Sequence, residues 1–416
     1  MPLPETIAPE GAALPRWLSI VGIGEDGVAG LSASARGLIG AAEIVFGGKR
    51  HLALAASLIR GATRPWPSPF DSAAAEVMRH RGRQVCVLAS GDPFLYGVGT
   101  TLARTIDARE MLVVPAPSAF SLAAARLGWS LPHTALLSAH GRNLDLIRPH
   151  LQPGTRLLVL TSDGDGPAAL AQLLTSLGFG TSRLTLLEAL GGPRERLRAT
   201  TAAEFHCGAV DALNTVAIEV EAAPDARIIA RSSGLADHLF EHDGQITKRE
   251  MRAVTLSSLA PRRGELLWDV GAGAGSVAIE WMLADPLFMR AIAIEADAER
   301  AARIARNAAA FGVPSLEVVQ KTAPAALANL PPSDAIFIGG GASDPDVLDA
   351  AIETLRGGGR LVVNVVTLES EALLIARHAA LGGELIRVAL ARASAVGGKS
   401  TWRPALPVTQ WSWVKP

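Results

Sequence analysis

The stretch that decides the fold of the second half of this chain is WDVGAGAGSVAIEW, residues 268–281. An apolar segment runs into three glycines at alternate positions and a second apolar segment follows, which predicts a strand, a tight turn and a helix. Glycines at such a turn let a ligand approach the backbone, and the first N–H groups of the helix point at it. A dinucleotide site would need a glycine where Ser276 stands, so only a degraded form of that motif fits. A tight turn that binds no ligand is a second interpretation.

A third interpretation rests on features around this loop, which resembles the S-adenosylmethionine site of Rossmann-like methyltransferases. Asp269 precedes the first glycine, and Glu295 ends the next strand, where a carboxylate can accept the hydroxyls of a ribose. The segments ELIRVALARA and VTQWSWVKP resemble the strand pair, one strand reversed, that closes such a sheet. The cofactor-binding residues implied by the resemblance are Thr247, Asp269, Gly271, Ala272, Gly273, Ala274, Gly275, Glu295 and Ala323. The family often has an acidic residue near the adenine, whereas VVQKTAPAAL offers Lys321, Thr322 and Ala323 here.

A second glycine turn, SIVGIGEDG at residues 19–27, opens the first half of the chain. Strand-like and helix-like segments alternate after it, which predicts a parallel sheet with crossover helices. The segments LASGDPFLYGVG (88–99), VPAPSAFSLAAARLGW (114–129) and HGR (140–142) follow at intervals. In this order and spacing, the four segments resemble the tetrapyrrole methylase family.

That resemblance implies two α/β subdomains with S-adenosylmethionine in the cleft between them. The implied cofactor-binding residues are Gly22, Gly24, Ser90, Gly91, Asp92, Pro93, Ser118 and Ala119. His140 and Arg142 are the candidate catalytic residues, although a surface role for His140 and a turn-capping role for Asp92 stay open. The family usually has proline after the second glycine of the first turn, and Glu25 stands there in this chain.

The domain organisation expected from these patterns is an α/β fold in two parts. Residues 1–14 are expected to be a loose tail, residues 16–228 a tetrapyrrole methylase domain, residues 229–244 a linker, and residues 245–416 a Rossmann-like methyltransferase domain with a seven-stranded sheet. Thr247 and Glu250 have the spacing of a capping box, so Thr247 is expected to cap the first helix of the second domain.

Composition limits the classes of function. The chain has 416 residues and a formal charge of −1, which gives no global attraction to nucleic acid or to an anionic membrane. It has no run of about 18 uncharged apolar residues, and its start lacks the pattern of a secretory signal. Two isolated cysteines, Cys86 and Cys207, indicate neither a disulfide framework nor a metal site. We therefore expect a cytoplasmic protein without a metal.

The two halves together resemble the fused, decarboxylating precorrin methyltransferases of cobalamin biosynthesis, over residues 16–416. The resemblance implies that the first domain methylates C5 of the macrocycle and that the second methylates C15 and decarboxylates the ring C acetate. It also implies one S-adenosylmethionine per domain, a tetrapyrrole substrate, self-association and transient contact with other pathway enzymes. The alternatives are a methyltransferase acting on another substrate such as RNA, an NAD-dependent oxidoreductase, and a ligand sensor without catalysis.

A polycarboxylate substrate requires cations around each cleft. In the second domain, Gly340 follows a strand, and Lys399 and Arg403 lie in the glycine-flanked segment AVGGKSTWRP. These three are the expected substrate-binding residues, and Gly397 and Gly398 would let the segment close over a flat macrocycle. Further candidate cations are Arg142, Arg194, Arg196, Arg198, Lys248, Arg249 and Arg252.

Overall fold

The computed structural model describes residues 16–67 and 70–416, and the expected N-terminal tail lies outside them. The chain forms two compact units. The first contains the residues up to Arg142 together with Pro153–Ala226, and the second contains Asn143–Gln152 and Arg227–Pro416.

The first sheet of the first unit is parallel throughout. Its strands are β1 (Leu18–Ile23), β2 (Ile44–Gly47), β3 (Ala62–Pro65), β4 (Val85–Ser90) and β5 (Met111–Val114), in the spatial order β3-β2-β4-β1-β5. The helices around it are α1 (Ala33–Ala41), α2 (Lys49–Leu54), α3 (Ala73–Met78) and α4 (Val98–Leu102), and α5 (Ala119–Leu127) follows the last strand. Strands β1, β2 and β4 are largely buried, as expected of a parallel sheet, and β5 is half-buried.

The second sheet of this unit is mixed. Its strands are β6 (Thr134–Ser138), β7 (Arg156–Leu160), β8 (Arg183–Glu188), β9 (Arg196–Thr201) and β10 (Asn214–Glu219), in the order β6-β7-β10-β8-β9, with helix α6 (Gly166–Ser176). Only β6 and β7 pair in parallel, and the other pairs are antiparallel. The basic segment after β8 thus forms an edge strand, β9.

The second unit is built on a sheet of seven strands. Its helices are α7 (Arg249–Leu259), α8 (Ser276–Leu283), α9 (Ala298–Ala310), α10 (Pro345–Thr354) and α11 (Leu368–Leu381). The strands are β11 (Leu266–Val270), β12 (Arg290–Glu295), β13 (Glu317–Gln320), β14 (Ala335–Ile338), β15 (Arg360–Val365), β16 (Glu384–Val388), β17 (Ala391–Val396), β18 (Lys399–Pro404) and β19 (Val408–Val414). The order is β13-β12-β11-β14-β15-β19-β16, and β19 runs antiparallel to both of its neighbours. The prediction of a seven-stranded sheet with a reversed strand is confirmed.

Residues 229–244 differ from the expected linker, because they belong to the core of the second unit. Ile229, Leu235 and Phe240 are buried in one apolar cluster with residues of α8 and α9. The irregular sequence of this segment predicts few regular elements, and the structure has only a 3-10 helix at Asp237–Leu239 there. The sequence does not show that the three apolar side chains pack into a core.

A buried ion pair holds this segment against α7 and α8. Arg252 is fully buried, and its Nε donates to Oε1 of Glu280 at 2.6 Å. The same carboxylate accepts the backbone N–H groups of Gly234 at 2.6 Å and Leu235 at 2.9 Å. A buried carboxylate is tolerated only when its charge and its lone pairs are satisfied, so α7, α8 and the segment before α7 depend on one another.

Thr247 is not the N-cap of α7, which corrects the expected capping box. The helix begins at Arg249, Lys248 occupies the cap position, and no side chain makes the capping hydrogen bond. The carbonyl oxygen of Thr247 instead accepts a hydrogen bond from Nη1 of Arg252 at 2.5 Å. Thr247 thus lies one residue before the N-cap, Lys248, and is bonded to α7 through its backbone carbonyl.

Arg252→Met should strongly destabilise the second unit, because the Glu280 carboxylate would stay buried without its cation. The expected loss is about 3–5 kcal/mol in the free energy of unfolding, measured by urea denaturation followed through tryptophan fluorescence. The matched control is Arg306→Met, since Arg306 pairs with Glu241 at the surface with both side chains more than half exposed. We expect a change of at most about 0.5 kcal/mol there. Equal effects of the two substitutions would contradict this account of Arg252.

Candidate functional site

The first unit contains a cavity of about 490 Å³. Residues that follow β1, β4 and β5 form one side of it, and residues from the second sheet form the other. The predicted site residues that line this cavity are Gly24, Ser90, Gly91, Asp92, Ser118, Ala119, His140 and Arg142. The structure therefore brings four separate sequence segments to one place.

Gly22 and Pro93 do not line the cavity, but they shape the backbone behind it. A Cβ on Gly22 would lie 1.9 Å from the carbonyl oxygen of Gly91 and 2.6 Å from the backbone nitrogen of Ala116. The strand end therefore approaches the next loop so closely that only glycine fits. The carbonyl oxygen of Pro93 approaches Gly97 in a similar way, at 2.5 Å from the position of a Cβ there.

Asp92 and Ser118 each satisfy a backbone N–H group. Asp92 Oδ1 accepts from Phe94 N–H at 2.9 Å, which stabilises the turn after β4. Ser118 caps α5, because its Oγ accepts from Ser121 N–H at 3.1 Å. Both side chains also line the cavity, so the capping role and contact with a ligand are compatible.

Arg142 differs from the other candidate arginines of the first unit. Its guanidinium lies 5.4 Å from the centroid of the Tyr96 ring, and among the described residues it forms no ion pair. In contrast, Arg194 pairs with Asp211 and Glu25, and Arg196 and Arg198 both pair with Glu188. The expectation that these three bind substrate is not supported, because carboxylates of the protein already pair with each of them.

The sequence patterns missed a polar cluster beside Ser90. Arg50 forms an ion pair with Glu25, and its Nη2 donates to Ser90 Oγ at 2.9 Å. Nε2 of His51 lies 2.8 Å from the same Oγ. Burial, together with the nearby charge of Arg50, lowers the pKa of His51 to about 4. The available signal was the segment GGKRHL, because its basic residues directly follow β2 at the same sheet edge as the glycine loops.

The second unit contains a cavity of about 760 Å³ at the carboxyl ends of its parallel strands. The predicted residues that line it are Thr247, Gly271, Ala272, Gly273, Glu295, Ala323 and Gly340. Ala274 and Gly275 do not line it: Ala274 is buried, and Gly275 is the N-cap of α8. Missed residues that line it include Gln245, Asn364, Thr367 and Leu406.

Each of the three glycines of the loop packs closely against a different part of the second unit. All three have positive φ, between +59° and +73°. A Cβ on Gly271 would lie 2.6 Å from Cα of Gly340, and one on Gly273 would lie 2.8 Å from the carbonyl oxygen of Gln245. The corresponding atom on Gly275 would lie 2.7 Å from Cγ2 of Ile304. The loop is therefore pressed against three other elements at once, and only glycine allows this at the three positions.

Two carboxylates lie beside this loop in different environments. Glu295 lines the cavity and accepts the N–H groups of Gly273 at 2.8 Å and Asp297 at 3.0 Å. Asp269 is buried below the cavity wall, and its Oδ2 accepts Ala278 N–H at 3.0 Å. Its Oδ1 has no hydrogen-bond partner among the described residues. Burial raises the pKa of Asp269 to about 7, and the neighbouring charge of Glu295 acts in the same direction.

Lys399 and Arg403 do not line the second cavity. They lie on β18, which pairs with β17 in an exposed hairpin, and Gly397 and Gly398 form its turn. The residues of this region that line the cavity follow the hairpin; they are Ala405, Leu406 and Val408.

The cations that do line the second cavity are Lys248, Lys321 and Arg300. Of these, Arg300 donates to Asp243 at 2.8 Å. Arg252, another candidate for binding substrate, is instead the buried structural residue described above, and Arg249 is exposed.

Neither membrane spans nor clustered metal ligands are found in the described part of the chain. None of its helices is both long enough and apolar enough to cross a bilayer. Residues 16–67 and 70–416 contain no group of three or more His, Cys, Asp or Glu side chains that could hold a metal ion.

Two family models match the chain, one in each half. Residues 18–206 match the tetrapyrrole (corrin/porphyrin) methylases, and residues 238–415 match the precorrin methyltransferase domain. The matched ranges contain all of the glycine loops described above.

Relatives of known name match the chain over most of its length. A precorrin-6Y C(5,15)-methyltransferase [decarboxylating] of Sinorhizobium sp is 61% identical over 406 residues, which cover 98% of each chain. A protein of the same name from Mycobacterium tuberculosis is 43% identical over 95% of this chain and 99% of its own. A shorter protein of Pyrobaculum calidifontis, named a probable cobalt-precorrin-6B C(15)-methyltransferase (decarboxylating), is 43% identical over 141 residues, or 33% of this chain and 72% of its own.

These similarities set aside a dinucleotide-dependent oxidoreductase as the function of the chain. The chain belongs to the family of decarboxylating precorrin-6Y C(5,15)-methyltransferases, which are S-adenosylmethionine-dependent enzymes of cobalamin biosynthesis.

Proposed function

We propose that the two units divide the reaction of this family, which converts precorrin-6B to precorrin-8X. The first unit methylates C5, and the second methylates C15 and removes the carboxyl group of the ring C acetate as carbon dioxide. The observation that carries this proposal is the presence of two separate cavities, each bordered by its own glycine loops. The Pyrobaculum relative supports the division, because a protein matching only a third of this chain is named for C15 methylation with decarboxylation.

The residues of both cavities fit S-adenosylmethionine. In the first, the strand end at Gly22 and the loop at Gly91 leave no room for a side chain between them, so backbone groups border the cavity. In the second, the loop at Gly271–Gly273 does the same, and Glu295 is a carboxylate at the wall that can accept ribose hydroxyls. Each cavity is within the range of about 300–1,000 Å³ typical of small-molecule sites.

The bound cofactor supplies a methyl group that its sulfonium already activates. The protein therefore has to orient a nucleophilic ring carbon and exclude water. In the first cavity, Trp66 and Tyr96 offer apolar surface to a flat macrocycle, and Arg142 offers a charge for one of its carboxylates. Lys248 and Lys321 have the corresponding role in the second cavity.

Decarboxylation requires an electron sink, which the conjugated imines of the substrate provide. A carboxylate loses carbon dioxide more readily where no cation stabilises its charge. The second cavity has a neutral side that suits this step, formed by Asn364, Thr367 and Leu406. We assign the departing carboxylate to this side.

Three further expectations belong to this proposal. Neither methyl transfer nor decarboxylation requires a metal in this scheme. The chain is expected to act in the cytoplasm, and it is expected to self-associate and to contact other enzymes of the pathway only transiently. Light scattering during size-exclusion chromatography tests the self-association, and a mass above that of one chain is the expected result.

Gly22→Ala and Gly271→Ala should each remove one methylation and spare the other. Each added methyl group would collide with backbone, at 1.9 Å from Gly91 in one unit and at 2.6 Å from Gly340 in the other. The assay is mass spectrometry of the products formed from precorrin-6B and labelled cofactor. Gly22→Ala should lose the C5 methyl group alone, whereas Gly271→Ala should lose the C15 methyl group and the decarboxylation.

The matched control for this pair is Gly358→Ala. Gly358 has a φ of +73°, close to that of Gly271, but a Cβ there would meet nothing within 4 Å. Backbone strain is thus retained without a collision, and both methylations should persist. If either cavity variant kept both methylations at the parent rate, the division of labour would be refuted.

S-adenosylhomocysteine should bind the second unit more tightly as the pH rises through about 7, and the affinity should level off above this. Asp269 has a pKa of about 7 and is largely protonated below that value. The amino group of the bound ligand is cationic, and close to Asp269 it favours the charged form of that carboxyl group. Binding at lower pH must therefore first remove a proton from Asp269. Calorimetry on Asp269→Asn should show a flatter profile between pH 6 and pH 8 (roughly one unit on either side of this pKa). An unchanged slope in that variant would assign the pH dependence to another group.

A further inference from the structure

The hydrogen bonds around His51 determine which of its nitrogens carries the proton. Nη2 of Arg50 lies 2.9 Å from Nε2 of His51, and a guanidinium can only donate. Nε2 is therefore an acceptor, and the proton of the neutral ring resides on Nδ1, which is buried and has no hydrogen-bond partner among the described residues. Since Ser90 Oγ lies 2.8 Å from the same Nε2, the hydroxyl of Ser90 must be the donor in that contact. Ser90 and His51 thus form a hydroxyl–imidazole pair at the cavity wall.

The ion pair between Arg50 and Glu25 positions Ser90 and His51. Arg50 is fixed by its ion pair with Glu25, whose side chain is only 8% exposed and also pairs with Arg194 at 3.4 Å. Glu25 directly follows Gly24 in the first glycine turn, where its carboxylate anchors Arg50. Arg50 in turn donates to Ser90 Oγ at 2.9 Å. A hydroxyl oxygen has two acceptor lone pairs, and this bond leaves one of them for a ligand.

Methylation of a ring CH carbon leaves a proton to be removed. When the new carbon–carbon bond forms, the ring carbon carries both its original hydrogen and the methyl group, and a positive charge resides on the conjugated C=N system. The C–H bond then breaks, its electron pair returns to the conjugated system, and the proton must pass to an acceptor. A weak base is sufficient, because a C–H group next to a cationic C=N group is strongly acidic.

We propose that Ser90 and His51 together accept the proton released from C5 after methylation, which rests on the proposed function of the first unit. Ser90 Oγ takes the proton from carbon while its own proton passes to Nε2 of His51, which becomes an imidazolium and then releases the proton to solvent. Ser90 also belongs to the loop assigned to the cofactor, so the acceptor lies at the place of methyl transfer. The low pKa of His51 supports this role, because the ring is unprotonated at neutral pH.

The decisive experiment measures the deuterium isotope effect on C5 methylation with precorrin-6B deuterated at C5. His51→Gln keeps a polar group beside Ser90 but removes the base. We expect slower C5 methylation and an isotope effect that rises well above that of the parent enzyme, because loss of the proton becomes rate-limiting. C15 methylation and decarboxylation in the same chain should be unchanged. The matched control is His133→Gln, an exposed histidine of the same unit that does not line the cavity.

Two outcomes would overturn the proposal. One is an unchanged isotope effect in His51→Gln while C5 methylation proceeds at the parent rate. The other is a raised isotope effect in His140→Gln but not in His51→Gln, which would assign the proton to the other histidine of the cavity. If C5 methylation continued when the first cavity was blocked by Gly22→Ala, the proposed function itself would fail, so the two failures are distinguishable.

A measurement without substrate tests the hydrogen bonds directly. The ¹⁵N chemical shifts of the His51 ring, recorded near neutral pH on the whole chain, should show a protonated Nδ1 and an unprotonated Nε2 that accepts hydrogen bonds. The opposite tautomer would mean that Ser90 cannot donate to His51, and the proposed relay would be excluded.

Discussion

Both cavities depend on backbone segments that approach each other more closely than any side chain allows. Gly22 lies against the carbonyl oxygen of Gly91 in the first unit, and Gly271 lies against Gly340 in the second. In each case the carboxyl end of a central strand meets the loop that follows a neighbouring strand, and no side chain fits between the two backbone segments. This close backbone contact occurs on two different sheets. One sheet is parallel throughout, and the other contains the reversed strand β19.

The parts of the fold that could be predicted from the sequence are those encoded by local pattern. The two glycine turns and the alternation of strands and helices each have a signature within one short segment. The reversed strand β19 and the seven-stranded sheet were expected from the resemblance to methyltransferase sheets. The same holds for residues of the cavity walls that lie in these segments, such as Ser90 and Glu295. Asp269 was identified from its position before the glycines, but its burial could not be, because that depends on how α8 packs over the strand.

The ion-pair partners of the charged residues could not be predicted, because these partners are distant in sequence. Arg252 meets Glu280, 28 residues later, and thereby turns an expected linker into part of a core. Arg194 meets Glu25, 169 residues earlier. The cluster of Glu25, Arg50, His51 and Ser90 has the same origin: its members come from the ends of β1, β2 and β4, and only the sheet order makes them neighbours. An arginine in a sequence therefore indicates an available charge, and the fold decides whether the charge is used within the protein or left for a ligand.

The central claim is that one chain holds two independent sites for the same cofactor. Calorimetric titration of the whole chain with S-adenosylhomocysteine tests it most directly. The account predicts two molecules bound per chain, with one binding event removed by Gly22→Ala and the other by Gly271→Ala. A stoichiometry of one for the unaltered chain, or the loss of both binding events with a single substitution, would contradict it.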